Sequence, residues 1–306
     1  MVEPLRESAS APAPVAELLM EEQFGWQKTA GVEGVLWSKG VLYGETWVSF
    51  ARRFSEGPEA ARDAVAHADG HFAVVYQTED WCFAATDRVG SIPVSFAAAG
   101  ESWVVGTQAR AVAAAVGCRF VDADAVTALA MSGYTIGRTT FFEKLSALDP
   151  GECVFLRRNE APERQRYHFY LPQPVARPNL STELVDLLQA IFAKTIASLN
   201  RRTVLVPLSA GLDSRLIVSG LHAAGYKNVK CFSYGQYGNH EATAACQISK
   251  TLGYPWTFIR NSPDQQSMTF NSDDCAAFVD FADTLQGVPF QQDFHVVKEL
   301  KRTGYA

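Results

Sequence analysis

Apolar and polar residues alternate in short segments through the first half of the chain. Residues 70–76 and 81–86 are two such segments, separated by the polar residues 78–80. A period of two is typical of strands with one buried face, and a short polar turn joins such strands into a hairpin. The pattern predicts an antiparallel sheet in this half.

The second half has longer apolar runs that alternate with helix-compatible stretches. Residues 203–207 and 229–235 are the predicted strands, and residues 215–224 and 239–253 are the predicted helices. Strand, helix, strand, helix in this order predicts a parallel sheet. Ligands of such sheets bind beyond the carboxyl ends of the strands, so the residues that follow each run are the first candidates for a site.

A proline-rich stretch, residues 171–180, separates the halves and predicts a linker. We therefore expect a disordered tail at 1–15, one domain at 16–170 and a second at 181–306. The second domain would open with an amphipathic helix that packs on its sheet. The predicted apolar stripe of this helix comprises Leu184, Leu187, Leu188, Ile191, Thr195 and Leu199.

Composition narrows the class of protein. The 306 residues are 47% hydrophobic, which is ample for packed cores, and the net charge is −6 without any run of Lys or Arg. These values argue against a nucleic-acid surface. No stretch is long and apolar enough to span a membrane, and the six scattered cysteines are typical of a reducing compartment. We expect a cytoplasmic protein with no membrane partner, and a homodimer is one candidate assembly.

The segment 208–214, Leu-Ser-Ala-Gly-Leu-Asp-Ser, joins the first predicted strand of the second half to its helix. Small residues let the backbone approach phosphate oxygens, and the free N–H groups of a helix start attract anions. Ser209 and Ser214 can donate hydroxyl hydrogen bonds, while Asp213 beside phosphates makes sense as a ligand of Mg²⁺. The chain has neither a Walker loop nor a Rossmann fingerprint. The alternative is an ordinary capped turn.

This segment resembles the Ser-Gly-Gly-x-Asp-Ser loop of the PP-loop ATP pyrophosphatases, in particular that of the asparagine synthetase family. Ala210 stands where the family has Gly, and it fits only with a negative φ. The resemblance implies that Asp213 and Ser209 are catalytic, with Asp213 also the Mg²⁺ ligand. It implies an ATP site made by Leu208, Ser209, Ala210, Gly211, Leu212, Asp213 and Ser214, with the backbone of Phe232, Ser233, Tyr234 and Gly235 around adenine and ribose.

The first half resembles the glutaminase domain of the same family. The matching residues include 69–75, Asp-Gly-His-Phe-Ala-Val-Val, and 87–90, Asp-Arg-Val-Gly. Without the resemblance, Asp87 and Arg88 are interpreted as a structural ion pair. Glutamine-using members begin with a nucleophilic cysteine, whereas position 2 here is Val and the nearest cysteine is Cys82. We therefore interpret this domain as a scaffold without glutaminase activity.

The implied fold is α/β, with an N-terminal Ntn-hydrolase-like antiparallel sandwich and a C-terminal parallel, doubly wound sheet of the adenine nucleotide alpha hydrolase-like type. The implied activity is an asparagine synthase-like, ATP-dependent and AMP-forming ligase, which adenylates a small-molecule carboxylate and transfers it to ammonia or an amine. Two alternatives stay open, another PP-loop adenylating enzyme and a non-catalytic nucleotide-binding scaffold. Family members continue into an acidic Gly-rich loop, so we expect this chain to be a fragment.

Overall fold

The computed structural model describes residues 14–172, 174 and 176–305. They form two compact units, one made of residues up to Tyr170 together with Ala282–Val288, and one made of Leu171–Phe281 with Pro289 onward. Residues 1–13 of the predicted tail lie outside the described residues. Val15, also placed in that tail by the sequence, is fully buried.

The first unit contains most of the strands of the described chain. Its strands are β1 (Ala16–Leu19), β2 (Gln27–Ala30), β3 (Val35–Leu42), β4 (Gly70–Gln77), β5 (Cys82–Thr86), β6 (Ser95–Ala99), β7 (Ser102–Gly106), β8 (Leu145–Ala147), β9 (Glu152–Leu156) and β10 (Glu163–Arg166). Its helices are α1 (Trp47–Phe54), α2 (Pro58–His67), α3 (Ala109–Ala115) and α4 (Ala123–Ser132), with a 3₁₀ turn at Glu22–Phe24.

These strands form two sheets, in the orders β1-β7-β6-β8 and β10-β9-β5-β4-β3-β2. The predicted hairpin is present, because β4 and β5 pair antiparallel. Alternate residues of β4 enter different cores: Val75 joins the cluster between the sheets, and Phe72 joins the cluster beneath α1 and α2. Helix α3 packs on the outer face of the four-stranded sheet through Val112. The layers therefore run helix, sheet, sheet, helix.

A distant segment of the chain completes this unit. The carboxylate of Asp283 pairs with Arg110 of α3 at 2.7 Å, and Asp283 is only 8% exposed. The Phe141 backbone N–H donates to the carbonyl of Leu285 at 2.8 Å, and the Leu285 side chain joins the core beside α3. The first unit is therefore discontinuous in sequence, whereas the prediction had two contiguous domains.

The second unit is built around a three-stranded parallel sheet, as the strand and helix order predicted. The sheet order is β11-β12-β13. Its elements are α5 (Leu180–Ser198), β11 (Val204–Pro207), α6 (Leu212–Ala223), β12 (Val229–Gly235), α7 (His240–Leu252), β13 (Trp256–Arg260), α8 (Pro263–Phe270), α9 (Asp273–Ala282) and α10 (Phe294–Arg302). Helices α5 to α7 share one core with the sheet, and α10 shares the other. None of the described helices is long and apolar enough to cross a membrane.

The amphipathic helix is present, but its predicted buried face is partly wrong. Leu184, Leu187 and Ile191 are 47–57% exposed, and Phe192 is the residue of α5 that enters the core. The cause is contact with α6: a Cβ at Gly220 would lie 2.0 Å from the Phe192 ring, so the ring fills the space that this glycine leaves. Docking on α6 through Phe192 leaves Leu184, Leu187 and Ile191 on the exposed side of α5.

Candidate functional site

The segment 208–214 lies beyond the carboxyl end of β11. Its first residue is fixed to the sheet, because the Leu208 N–H donates to the Phe232 carbonyl at 2.8 Å and the Leu208 side chain is buried. Helix α6 then begins at Leu212 with Gly211 as its N-cap, and no side chain caps it. The sheet therefore holds one end of the segment rigidly, and the helix start faces outward from it.

Ser209 and Ser214 contact each other across the segment. Their hydroxyl oxygens are 3.0 Å apart, the Ser209 N–H donates to Ser214 Oγ at 3.1 Å, and the Gly211 N–H donates to Ser209 Oγ at 3.1 Å. Two hydroxyl groups carry two hydrogens, and only one is needed for the bond between them. One hydroxyl hydrogen thus stays available to an incoming acceptor.

The backbone of the segment satisfies the condition set by Ala210. This residue is not among those with a positive φ, so its methyl group is accommodated without strain. Gly211 has φ −66°, and a Cβ there would meet only Ser209 Oγ, at 3.1 Å. Glycine at this position is therefore needed for space beside the serine hydroxyl rather than for a left-handed conformation.

Several donors and one carboxylate at the helix start are unused. The backbone N–H groups of Leu212, Asp213 and Ser214 have no acceptor among the described residues. The side chain of Asp213 is exposed and makes no ion pair with any described residue, while Arg215 turns back to donate to the Gly211 carbonyl at 3.2 Å. The first turn of α6 consequently offers three N–H groups and a carboxylate to solvent.

Among the last four residues of β12, only Tyr234 and Gly235 are accessible. Phe232 and Ser233 are 8% and 5% exposed, whereas Tyr234 is 37% exposed. Ser233 Oγ donates to the Leu208 carbonyl at 2.7 Å and accepts from the Trp256 indole N–H at 3.0 Å. Its hydroxyl is occupied within the fold and ties the segment 208–214 to β13. Sequence reasoning did not predict this relay, in which the Ser233 hydroxyl links the Leu208 carbonyl to the Trp256 indole.

Sequence reasoning also missed the acidic neighbour of Tyr234. Burial and the nearby carboxylate of Asp293 raise the pKa of the Tyr234 phenol to about 12. Asp293 Oδ1 and Asn261 Oδ1 are buried and have no hydrogen-bond partner among the described residues. Asn261 directly follows β13, and its N–H donates to the carbonyl of Gly235 at 2.9 Å. Its position just beyond a strand end was the available signal.

No preformed metal cluster is present in the described part of the chain, since it holds no group of three His, Cys, Asp or Glu side chains suited to an ion. Mg²⁺ commonly binds one or two carboxylates together with substrate phosphates and waters. Asp213, exposed and next to free N–H donors, fits that kind of donor set.

The expectation of an ion pair between Asp87 and Arg88 in the first unit is wrong. The buried carboxylate of Asp87 accepts hydrogen bonds from the N–H groups of Phe72 and Val89 at 2.8 Å, and Arg88 instead donates to the Ala66 carbonyl at 3.0 Å. Backbone donors satisfy this carboxylate, so it needs no cation. Asp87 thereby fixes the turn after β5 against the start of β4.

The environments of the cysteines in the described first unit do not favour nucleophilic catalysis. The thiols of Cys82 and Cys153 are fully buried, and burial raises the pKa of each to about 12. Burial also raises the pKa of Cys118, which is partly exposed. Nucleophilic attack needs the thiolate, so burial disfavours the reactive form of each of these side chains.

A comparison with protein families agrees with the predicted resemblance of the first half of the chain to a glutaminase domain. Residues 57–168 match the model of a glutamine amidotransferase domain. This stretch is similar to that domain family. It includes β4, β5 and the Asp87 turn. No curated protein matches the chain.

Two solved structures are similar to parts of the chain. The NH3-dependent NAD synthetase from Campylobacter jejuni, in complex with nitrate, is 16% identical, with 30% of this chain and 41% of that one covered and a TM-score of 0.26. The glutamine PRPP amidotransferase from B. subtilis, complexed with ADP and GMP, is 12% identical, with 78% and 51% covered and a TM-score of 0.30. This chain thus spans about half of their length or less. At these identities and TM-scores they assign no function to it.

Proposed function

We propose that the protein is an asparagine synthetase-like, ATP-dependent and AMP-forming ligase that activates a small-molecule carboxylate and transfers it to ammonia or an amine. In this reaction a carboxylate oxygen attacks the α-phosphorus of ATP, which forms an acyl-adenylate and releases pyrophosphate. The nitrogen nucleophile then attacks the acyl carbon and displaces AMP. The second unit carries the proposed nucleotide site.

The observation that carries the proposal is the uncapped start of α6. Three free backbone N–H groups, at Leu212, Asp213 and Ser214, lie next to a serine pair with one hydroxyl hydrogen available. Such donors suit the β- and γ-phosphates of a nucleotide and stabilise the charge that develops on departing pyrophosphate. In an ordinary capped turn the N-cap side chain would have accepted one or two of these N–H groups.

Asp213 is the proposed Mg²⁺ ligand, and the bound ion would screen the phosphate charges. Tyr234 and Gly235 lie at the next strand end, where a nucleoside would extend from the phosphates across the sheet. Gly235 has φ +129°, a conformation that favours glycine, and it leaves that strand end without a side chain. The Gly235 carbonyl already accepts the Asn261 N–H, so a ribose or a base would pack on this strand end rather than bond to that oxygen.

The first unit is proposed to act as a scaffold without glutaminase activity of its own. Its similarity to a glutamine amidotransferase domain concerns residues 57–168, and burial raises the pKa of Cys82, Cys118 and Cys153, which disfavours a nucleophilic thiolate. The nitrogen donor of the ligase would then be free ammonia, a substrate amine, or ammonia supplied by another protein.

ATP–pyrophosphate exchange tests the proposal. We expect Asp213→Ala to abolish Mg²⁺-dependent exchange, and to weaken Mg²⁺-dependent ATP binding measured by isothermal titration calorimetry. Asp186→Ala is the matched control, because Asp186 is an exposed aspartate of α5 in the same unit. ATP binding that survives in Asp213→Ala, with exchange as in the wild type, would exclude the site. ATP binding without ATP–pyrophosphate exchange, whichever carboxylate is supplied, would favour the non-catalytic scaffold.

A further inference from the structure

A cavity of about 440 Å³ opens in the first unit. Leu18 of β1 and Trp37 of β3 belong to different sheets, and both line it. Gln77, the last residue of β4, lines it as well. The volume lies in the range of about 300–1,000 Å³ that small-molecule sites occupy. The cavity is therefore large enough for a compact organic ligand.

The wall beside Gln77 is closely packed. A Cβ at Gly34 would lie 2.4 Å from the Gln77 carbonyl oxygen, so the turn before β3 rests directly on the end of β4. The side-chain oxygen of Gln77 is buried and has no hydrogen-bond partner among the described residues. A buried acceptor without a donor costs about 1–3 kcal/mol. A ligand N–H group that reaches this oxygen from the cavity would remove this cost.

The charges around the cavity favour a cation. Its lining includes two carboxylates, Glu33 and Glu79, against one cation, Lys28. The Lys28 ammonium lies 5.6 Å from the centre of the Trp37 ring, so the face of this ring already accepts a positive charge. Lys28 is exposed and can leave the ring to another cation. Leu18 and Val35 supply the apolar part of the lining.

We propose that this cavity is a binding site for a small organic ammonium ion with an apolar or aromatic body. The ammonium group donates to Gln77 Oε1 and is attracted by Glu33 and Glu79, while the body packs on Trp37 and Leu18. The site is independent of the proposed nucleotide site, since all of its residues belong to the first unit.

A pair of probes with opposite charge tests the proposal. At pH 7, 2-phenylethylamine carries an ammonium group, and 3-phenylpropionate carries a carboxylate on a similar body. Isothermal titration calorimetry on the whole chain gives the dissociation constant of each. We expect saturable binding of the amine, and binding of the carboxylate that is at least tenfold weaker. Amide chemical shifts in ¹H–¹⁵N spectra should change for residues 33–37 and 77–79.

Substitutions at the rim distinguish binding in this cavity from nonspecific attraction of the cationic probe to an acidic protein. The double variant Glu33→Gln/Glu79→Gln should weaken amine binding at least tenfold, and both residues are exposed, so the fold should persist. Glu101→Gln, at an exposed turn outside the cavity, is the control and should bind as the wild type does. Equal affinity of the two probes, an unchanged constant in the double variant, or shifts confined to other residues would overturn the proposal.

Discussion

The hydroxyl of Ser233 connects the segment 208–214 to the rest of its unit, and Ser233→Ala removes that connection. The change deletes a 2.7 Å bond to the Leu208 carbonyl and a 3.0 Å bond from the Trp256 indole N–H. Leu208 is 2% exposed, so its carbonyl loses this donor away from water, at a cost of about 1–3 kcal/mol. Trp256 is half-buried and water can replace part of its bond, which adds about 1 kcal/mol. We expect the second unit to lose about 2–4 kcal/mol.

Fluorine NMR of protein labelled with 5-fluorotryptophan can follow this unit alone. Five of the six tryptophans belong to the first unit, and Trp256 belongs to the second. Its resonance, assigned with Trp256→Phe, reports unfolding of the second unit in a urea titration. The Ser233→Ala/Trp256→Phe pair should destabilise by less than the sum of the single changes, with a coupling of about 0.5–1.5 kcal/mol measured by circular dichroism.

Ser267→Ala is the control, because Ser267 is an exposed serine of α8 in the same unit. It should leave the unfolding midpoint within about 0.5 kcal/mol of the wild type. If Ser233→Ala also stays within that range and the Trp256 resonance does not move, the relay has no energetic importance. On the proposed function, Ser233→Ala should in addition weaken ATP binding, although the hydroxyl itself is out of reach of a ligand.

Three further substitutions test the packing and charges described above. Gly220→Ala should destabilise the second unit by about 1–2 kcal/mol in the same fluorine assay, because the clash with Phe192 outweighs the helix propensity gained. A second change, Phe192→Leu, should restore stability to the Gly220→Ala variant. Greater stability of Gly220→Ala alone than of the wild type would refute the contact. Burial opposes ionisation of Glu152, but Arg164 outweighs it and holds the Glu152 pKa below its ordinary value. The stability that this pair supplies is therefore present above about pH 4.3 and lost as the pH falls further. Glu152→Gln should thus reduce the fall in melting temperature at acid pH. An unchanged dependence of the melting temperature on pH would contradict this. Asp87→Ala removes the acceptor of the Phe72 and Val89 N–H groups and should destabilise the first unit by about 3 kcal/mol in urea unfolding. If an ion pair with Arg88 were dominant instead, Arg88→Ala would cause a similar loss.

The parts of the second unit that local pattern determines were predictable from the sequence. β12 spans Val229–Gly235 as predicted, because an apolar run ends at a glycine, and α7 ends before Gly253, which takes the left-handed C-cap conformation. The position of the segment 208–214 after β11 followed from the same logic. Its serine pair and free N–H groups are consequences of short-range geometry.

Features that depend on distant contacts could not be read in this way. The buried face of α5 is decided by Gly220, which lies beyond an intervening strand, and the donors to Asp87 are backbone groups that carry no residue-specific signal. The occupied hydroxyl of Ser233 requires Trp256, and the cavity beside Gln77 requires β1 to face β3 across two sheets. In each case the partner is chosen by tertiary packing.

The return of Ala282–Val288 to the first unit has a consequence for biosynthesis. Leu285 and Asp283 reach the ribosome exit only after residues 171–281, the larger part of the second unit, have been translated, which takes on the order of ten seconds at about 5–20 residues per second. Until then the ion pair between Arg110 and Asp283 cannot form, and Leu285 does not yet cover the apolar surface beside α3. A nascent chain stalled before residue 282 should therefore recruit chaperones that a chain stalled well after residue 288 no longer needs.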